Sequence, residues 1–177
     1  MSDLPFLDLH GNDFERGVKH GRVLKQAISE NLETYFERFN ASGLSADNAR
    51  QEGKKWAEVI AKQNAAYTKE MEGIAEGSGH VLSDIAMLNA RYEITFGLMK
   101  EEAAVIDLND QADGCTTFGV LPQATDNGHT VLGQNWDWLV GVYGRCTLMR
   151  VKREQGSDFI CYTEAGIVGG KMGVNQH

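Results

Sequence analysis

The sequence predicts an α+β fold in which a helical first portion is followed by antiparallel strands. Three observations carry this. Up to residue 114, apolar side chains recur at helical spacing. From Cys115 onward the chain turns to short runs of Val, Ile, Thr and aromatic residues, separated by Gly, Asn and Asp. The two halves meet at Asp113-Gly114-Cys115-Thr116-Thr117-Phe118, where a cysteine directly follows a glycine. The expected organisation is therefore a helical portion over 1–114 and the start of an antiparallel sheet over 115–177.

Asn12 or Asp13 is the expected N-cap of a first helix reaching about Phe39, with Phe14, Val18, Leu24, Ile28, Leu32, Tyr35, Phe36 and Phe39 near helical spacing. Gly17 and Gly21 lie four apart on one side. Each costs roughly 1 kcal/mol against Ala in a helix, so the pair points to close backbone packing. No strand is expected before them and their spacing matches no nucleotide motif, which sets a phosphate role aside. After a polar link over Ala41–Asp47, a second helix runs to about Tyr67 with Trp56, Val59 and Ile60 inward, then continues or restarts through Met71 and Ile74. Lys54, Lys55, Glu58 and Lys62 read as its solvated face. Gly77-Ser78-Gly79 ends it, and Ser83 is the expected cap of a third helix reaching about Phe96. Within that helix Arg91 and Glu93 suggest a buried or interfacial ion pair, with Arg91 lining a pocket as the alternative. Residues from Glu101 to Asp113 form a mixed connector, acidic at both ends.

The strand half begins with runs at Cys115–Leu121 and His129–Trp138, joined through Asp126-Asn127-Gly128, a hairpin signal. Tyr143–Arg153 and Asp158–Ala165 predict a second hairpin around Glu154-Gln155-Gly156-Ser157. The last run, Gly166 to Asn175, is rich in glycine, as strands beside ligands often are.

The chain has 177 residues, enough for one domain with a real core. Its formal net charge of -8 and pI near 5.1 argue against a nucleic-acid or anionic-membrane surface. The N-terminus lacks a charged segment followed by an apolar one, and no apolar stretch approaches membrane-spanning length. Three cysteines in no metal-type spacing fit a reducing compartment, so a cytoplasmic protein is expected. Cys146 and Cys161 sit inside apolar runs and read as core thiols. The five histidines are scattered, and no metal is expected.

A Gly-Cys pair can be simply a buried cysteine entering a strand. It can also be a cleavage site. If the Gly114-Cys115 bond breaks, Cys115 carries its own base, an α-amine of pKa about 7.7–8.0, able to take the thiol proton directly or through a water. Cleavage can be self-catalysed: the sulfur attacks the Gly114 carbonyl, and water resolves the thioester. Gly114, without a Cβ, permits close approach. Asp137 is a candidate partner, since on an adjacent antiparallel strand its carboxylate could accept a hydrogen bond from that amine; the alternative is an ordinary turn residue at a strand edge. A papain-like pairing of Cys115 with His129 is the alternative, although no papain-type sequence surrounds Cys115.

Around this centre stand Glu72-Gly73-Ile74-Ala75-Glu76-Gly77, Leu88-Asn89-Ala90-Arg91-Tyr92-Glu93, Gly133-Gln134-Asn135-Trp136-Asp137-Trp138 and Thr163-Glu164-Ala165-Gly166-Ile167-Val168-Gly169. In this order, with Asp-Gly-Cys-Thr-Thr between them, they resemble the acyl-coenzyme A:6-aminopenicillanic acid acyltransferase family, also called isopenicillin N acyltransferases. These are N-terminal-nucleophile (Ntn) hydrolases. The resemblance runs from about Phe14 to Asn175 and implies the N-terminal part of an αββα fold.

The resemblance implies cleavage at Gly114-Cys115 into a 114-residue and a 63-residue subunit. It also implies catalysis by Cys115, Asp137 and Asn135, the last two within an Asn-aromatic-Asp segment. Thr116, Trp136, Glu164 and Gly166 fall near the implied substrate pocket, although Thr116 and Thr117 also read as ordinary strand residues and Glu164 and Gly166 equally as structural support. Gln134 stands where the bile-salt hydrolase branch carries arginine, which favours the penicillin acyltransferase branch.

The implied activity is acyl transfer or hydrolysis at amides or acyl thioesters, with acyl-coenzyme A as a substrate rather than a bound cofactor, and an amine or water as acceptor. A hydrolase of small N-acyl or β-alanyl amines is one alternative, a catalytically silent protein another. A fungal parent would allow a peroxisomal location. The family's oxyanion-hole asparagine, and the arginine and serine that complete its pocket, fall beyond His177. Losing one oxyanion donor typically costs about 10²–10³ in kcat. The 177-residue chain alone is therefore expected to be weakly active or inactive, a truncated piece whose partners would be its own cleaved subunit, a missing C-terminal portion or further copies of itself.

Overall fold

The computed structural model describes residues 4–102 and 115–175; the expected connector begins inside a helix at Glu101 and Glu102, and its remainder, with Asp113 and Gly114, lies outside the described residues. The elements are β1 (Phe6–Leu9), α1 (Asp13–Val23), α2 (Lys25–Ala41), α3 (Ala46–Gln63), α4 (Ala65–Ser78), α5 (Leu82–Asn89), α6 (Arg91–Glu102), β2 (Thr116–Val120), β3 (Val131–Asn135), β4 (Cys146–Val151), β5 (Phe159–Glu164) and β6 (Met172–Asn175). The fold is α+β, with the helices first apart from β1.

Asn12 caps α1 in a capping box: its side chain accepts from Glu15 N–H while the Glu15 carboxylate accepts from Asn12 N–H. The helix expected to reach Phe39 is distorted at Leu24 (φ -105°, ψ 19°), yet backbone hydrogen bonds run on both sides, from Leu24 N to His20 O and from Ile28 N to Leu24 O. The expected third helix is likewise two, α5 and α6, distorted at Ala90. Ser83 is not its cap: the helix starts at Leu82, after Val81, with no side-chain cap. Ser45 and Asn64 cap α3 and α4, and Gly79 ends α4 at φ 78°, a conformation open to glycine at no steric cost. Val59 is exposed rather than inward, while Trp56 and Ile60 pack on the core.

A strand does precede the Gly17/Gly21 pair, since β1 occupies Phe6–Leu9. The glycines nevertheless serve packing. Gly17 and Gly21 of α1 face Gly73 and Gly77 of α4, and a Cβ at any of the four would come within 3.0 Å of the other helix's backbone. Two helices thus meet backbone to backbone. Strands and helices share one core, whose buried residues include Leu7, Leu9, Met149 and Cys161 from the strands and Ile28, Leu32, Met71, Ile85 and Leu88 from the helices.

The strands form two sheets rather than one antiparallel sheet. The first has the order β1-β4-β5-β6 and the second pairs β2 with β3. β1 runs parallel to β4, from Phe6 opposite Leu148 to Leu9 opposite Val151, so this sheet is mixed. The expected hairpins both form, β2–β3 and β4–β5. In the first loop only Gly128 takes a positive φ, and Asn127 instead accepts from His129 N–H through its side chain. The helices cover one face of the large sheet. Its other face offers Leu148, Ile160 and Tyr162, which with Leu132 and Gln134 of the small hairpin border a cavity of about 630 Å³.

Candidate active site

Cys115 stands immediately before β2 and is exposed. β2 pairs with β3 from Thr116 opposite Asn135 to Val120 opposite Val131. The hairpin therefore returns the chain to Cys115 at the Asn135-Trp136-Asp137 segment, and the Cys115 thiol donates to the main-chain carbonyl of Asp137 at 3.8 Å. In the intact chain it is this carbonyl, not the carboxylate, that meets the sulfur. Asp137 lies two residues past the end of β3 and is exposed, as are Thr116 and Asn135. Gly114 lies outside the described residues. His129 lies beyond the far end of the hairpin ladder, two residues before Val131, whose partner Val120 is already five residues from Cys115, more than about 16 Å at about 3.3 Å per residue. That distance removes the papain-like pairing.

Trp136 and Trp138 flank Asp137 and wall a second cavity of about 630 Å³ with Leu139, Tyr143, Cys146 and Tyr162. Glu164 and Gly166 are buried. Gly166 is buried at φ 92° against Leu88 and Ile28, its N–H donating to His20 Nε2 at 3.0 Å and its carbonyl accepting from Asn89 Nδ2 at 2.9 Å. His20 is wholly buried, and burial lowers its pKa from 6.5 to about 4. The ring is therefore neutral at pH 7.

Glu164 has no exposed surface. Its Oε1 takes Arg91 Nη2 at 2.9 Å and Lys171 Nζ at 2.8 Å, while Oε2 accepts the Tyr35 hydroxyl at 2.7 Å. Arg91 thus pairs with Glu164 rather than with Glu93, which is exposed. The Tyr35 oxygen in turn accepts from Arg91 Nε at 3.0 Å and from the Trp138 indole at 2.6 Å. Burial first, then the Glu164 charge, pushes the Tyr35 phenol well above its usual range, so it stays a donor.

Sequence reasoning left out Tyr35, Lys171, His20 and Asn89 as parts of this assembly. The available signal was polar residues inside otherwise apolar runs, as for Arg91 between Leu88 and Ile94. Cys146 and Cys161 are buried, as their runs suggested. Among the described residues, no group of three or more His, Cys, Asp or Glu could hold a metal, and no helix is long and apolar enough to cross a membrane.

No protein-family model matches the chain. The chain is 28% identical over 166 residues to the acyl-coenzyme A:6-aminopenicillanic-acid-acyltransferase 40 kDa form of Emericella nidulans, an alignment that takes in 93% of this chain and 42% of that protein. The chain thus spans less than half the length of this curated relative. The likeness is distant, and it is to an acyltransferase.

Proposed function

We propose that this chain is the nucleophile-bearing part of an autoprocessing cysteine enzyme of the Ntn type, related in chemistry to penicillin acyltransferases. The observation that carries the reading is the exposed Cys115 thiol at the start of β2, 3.8 Å from the main chain of Asp137. The acyltransferase likeness along nearly the whole chain supports it.

Processing begins when the Cys115 sulfur adds to the Gly114 carbonyl carbon and the C–N bond breaks. This leaves a thioester and a free α-amine on Cys115. Water then adds to the thioester, releasing a Gly114 carboxylate and the thiol. The products are residues 1–114 and residues 115–177.

In the second reaction the α-amine takes the thiol proton, with the Asp137 carboxylate and Asn135 orienting it. The sulfur attacks the carbonyl carbon of an acyl thioester, acyl-coenzyme A among them, or of an amide. The departing thiol or amine leaves with the proton. An amine or water then attacks the S-acyl carbonyl carbon, giving its proton to the α-amine as the C–S bond breaks, and that proton returns to the released sulfur. The aromatic cavity of Trp136, Trp138, Tyr143 and Tyr162 adjoins the site, and its volume suits a small ligand.

Intact mass of freshly made protein tests this directly. Fragments of 114 and 63 residues are expected from the wild type and a single uncut chain from Cys115→Ala. A wild-type chain that stays whole through prolonged incubation would sink the reading. Competition between water and amine acceptors for an S-acyl intermediate then separates hydrolase from transferase.

A further inference from the structure

Glu164 touches neither Cys115 nor Asp137 in any contact described above, yet its partners reach both residues that flank Asp137. One route runs from Glu164 through the Tyr35 hydroxyl to the Trp138 indole N–H, in steps of 2.7 and 2.6 Å. The other runs through Lys171. Its ammonium lies 2.8 Å from Glu164, 4.2 Å from the centre of the Trp136 ring and 5.5 Å from that of Trp138. Lys171 also donates to the Tyr92 hydroxyl at 2.6 Å, and the Tyr92 ring meets Trp138 edge-on at 4.7 Å. Two tryptophans on either side of one aspartate are thus tied to one fully buried carboxylate, Trp136 through Lys171 and Trp138 through both Tyr35 and Lys171.

Stability is a poor account of such an arrangement. Burying a carboxylate with two cations carries a large desolvation cost, and apolar replacements of the same shape are often as stable or more so. What the network secures is placement, because Trp136 and Trp138 cannot shift without breaking hydrogen bonds or ring–cation contacts. Between them, the Asp137 main chain is held where the Cys115 thiol reaches its carbonyl.

We propose that Glu164 is a positioning residue for Cys115, acting through Tyr35 and Lys171 on the Trp136–Trp138 segment. This rests on the autoprocessing reading above. Misplacement of reacting groups by about 1 Å can cost about 10²-fold in rate, so loosening this segment should slow cleavage without unfolding the protein.

The test follows cleavage of the full chain over time by mass after cell-free synthesis. Self-cleavage needs no added substrate, so a change in the aromatic cavity does not by itself confuse the readout. Trp138→Phe removes one indole N–H, Tyr35→Phe the bridging hydroxyl, and Lys171→Met the cation with its stem kept. Glu164→Gln removes the hub but carries a risk of misfolding, which the milder variants avoid. Tyr67→Phe is the control, since the Tyr67 hydroxyl is also part-buried but bonds to Asn89 and the Val168 carbonyl instead.

The expected result is cleavage slowed at least about tenfold in Trp138→Phe and Tyr35→Phe, with both variants still folded at the assay temperature by thermal unfolding, and recovery in Lys171→Arg relative to Lys171→Met. Variants that cleave at the wild-type rate, or a Tyr67→Phe control slowed as much, would overturn the positioning role alone. A wild-type chain that is never cut would overturn the autoprocessing reading and this inference with it.

Discussion

His20 and Gly166 are joined by a buried hydrogen bond in which the glycine N–H donates 3.0 Å to Nε2 of an imidazole that burial keeps neutral. The folded ring takes a proton only near pH 4, the unfolded one near 6.5. Below 6.5 the unfolded chain therefore binds more protons, and stability is lost as the pH falls, reaching its limit near pH 4. The full effect is about 3 kcal/mol. Denaturant unfolding of the wild type and His20→Gln at pH 7 and pH 4.5 checks this. The variant is expected to be less stable at pH 7, with the gap narrowing at the lower pH. A gap independent of pH would contradict it.

Gly17→Ala and Gly73→Ala should each destabilise the protein, although alanine is the better helix former by roughly 1 kcal/mol. Their Cβ positions fall on the backbone of the opposing helix, which cannot yield as a side chain can. Overpacking typically costs about 1–3 kcal/mol, so thermal midpoints should drop by several degrees. Gly97→Ala is the contrast: nothing lies within 4 Å of a Cβ there, and the same exchange should be neutral or stabilising.

Arg91→Met should cost about 3 kcal/mol, because removing one partner of a buried pair leaves the other charge under-compensated. Lys171 still holds Glu164 Oε1 in this variant, which places the loss at the low end of the usual range. Chemical denaturation reads it out. Glu93→Gln, at an exposed position, should change stability little.

These relationships differ in how far the sequence disclosed them. The Asn12 cap, the glycine pair of α1 and both hairpins could be read because each is a local pattern whose partners lie a few residues apart or on one helix face. The hairpin also accounts for why Cys115 and Asp137 could be paired in advance, since a two-stranded return fixes which residues come opposite. β1 was hidden because four residues with a parallel partner far along the chain leave no turn signal. The Arg91 partner was hidden likewise: Glu164 is 73 residues away, and the nearby Glu93 was the natural candidate from local spacing. Tyr35 read as one member of an apolar stripe, and Lys171 carried no local signal at all; only the tertiary fold brings both onto one carboxylate.

The three thiols should separate sharply in reactivity. Cys115 is exposed, whereas burial pushes Cys161 up to about 11 and also raises Cys146. Since the thiolate is the reactive form, the two core cysteines are doubly protected, by access and by protonation. Iodoacetamide at pH 7.5 under native conditions should therefore add one group per chain, located by peptide mapping at Cys115. The other two should react only on unfolding, and a Cys115→Ala chain should stay unlabelled until denatured. Rapid native labelling of Cys161 would show instead that the sheet face beneath α4 opens, and that the core described for β4 and β5 is not closed in solution.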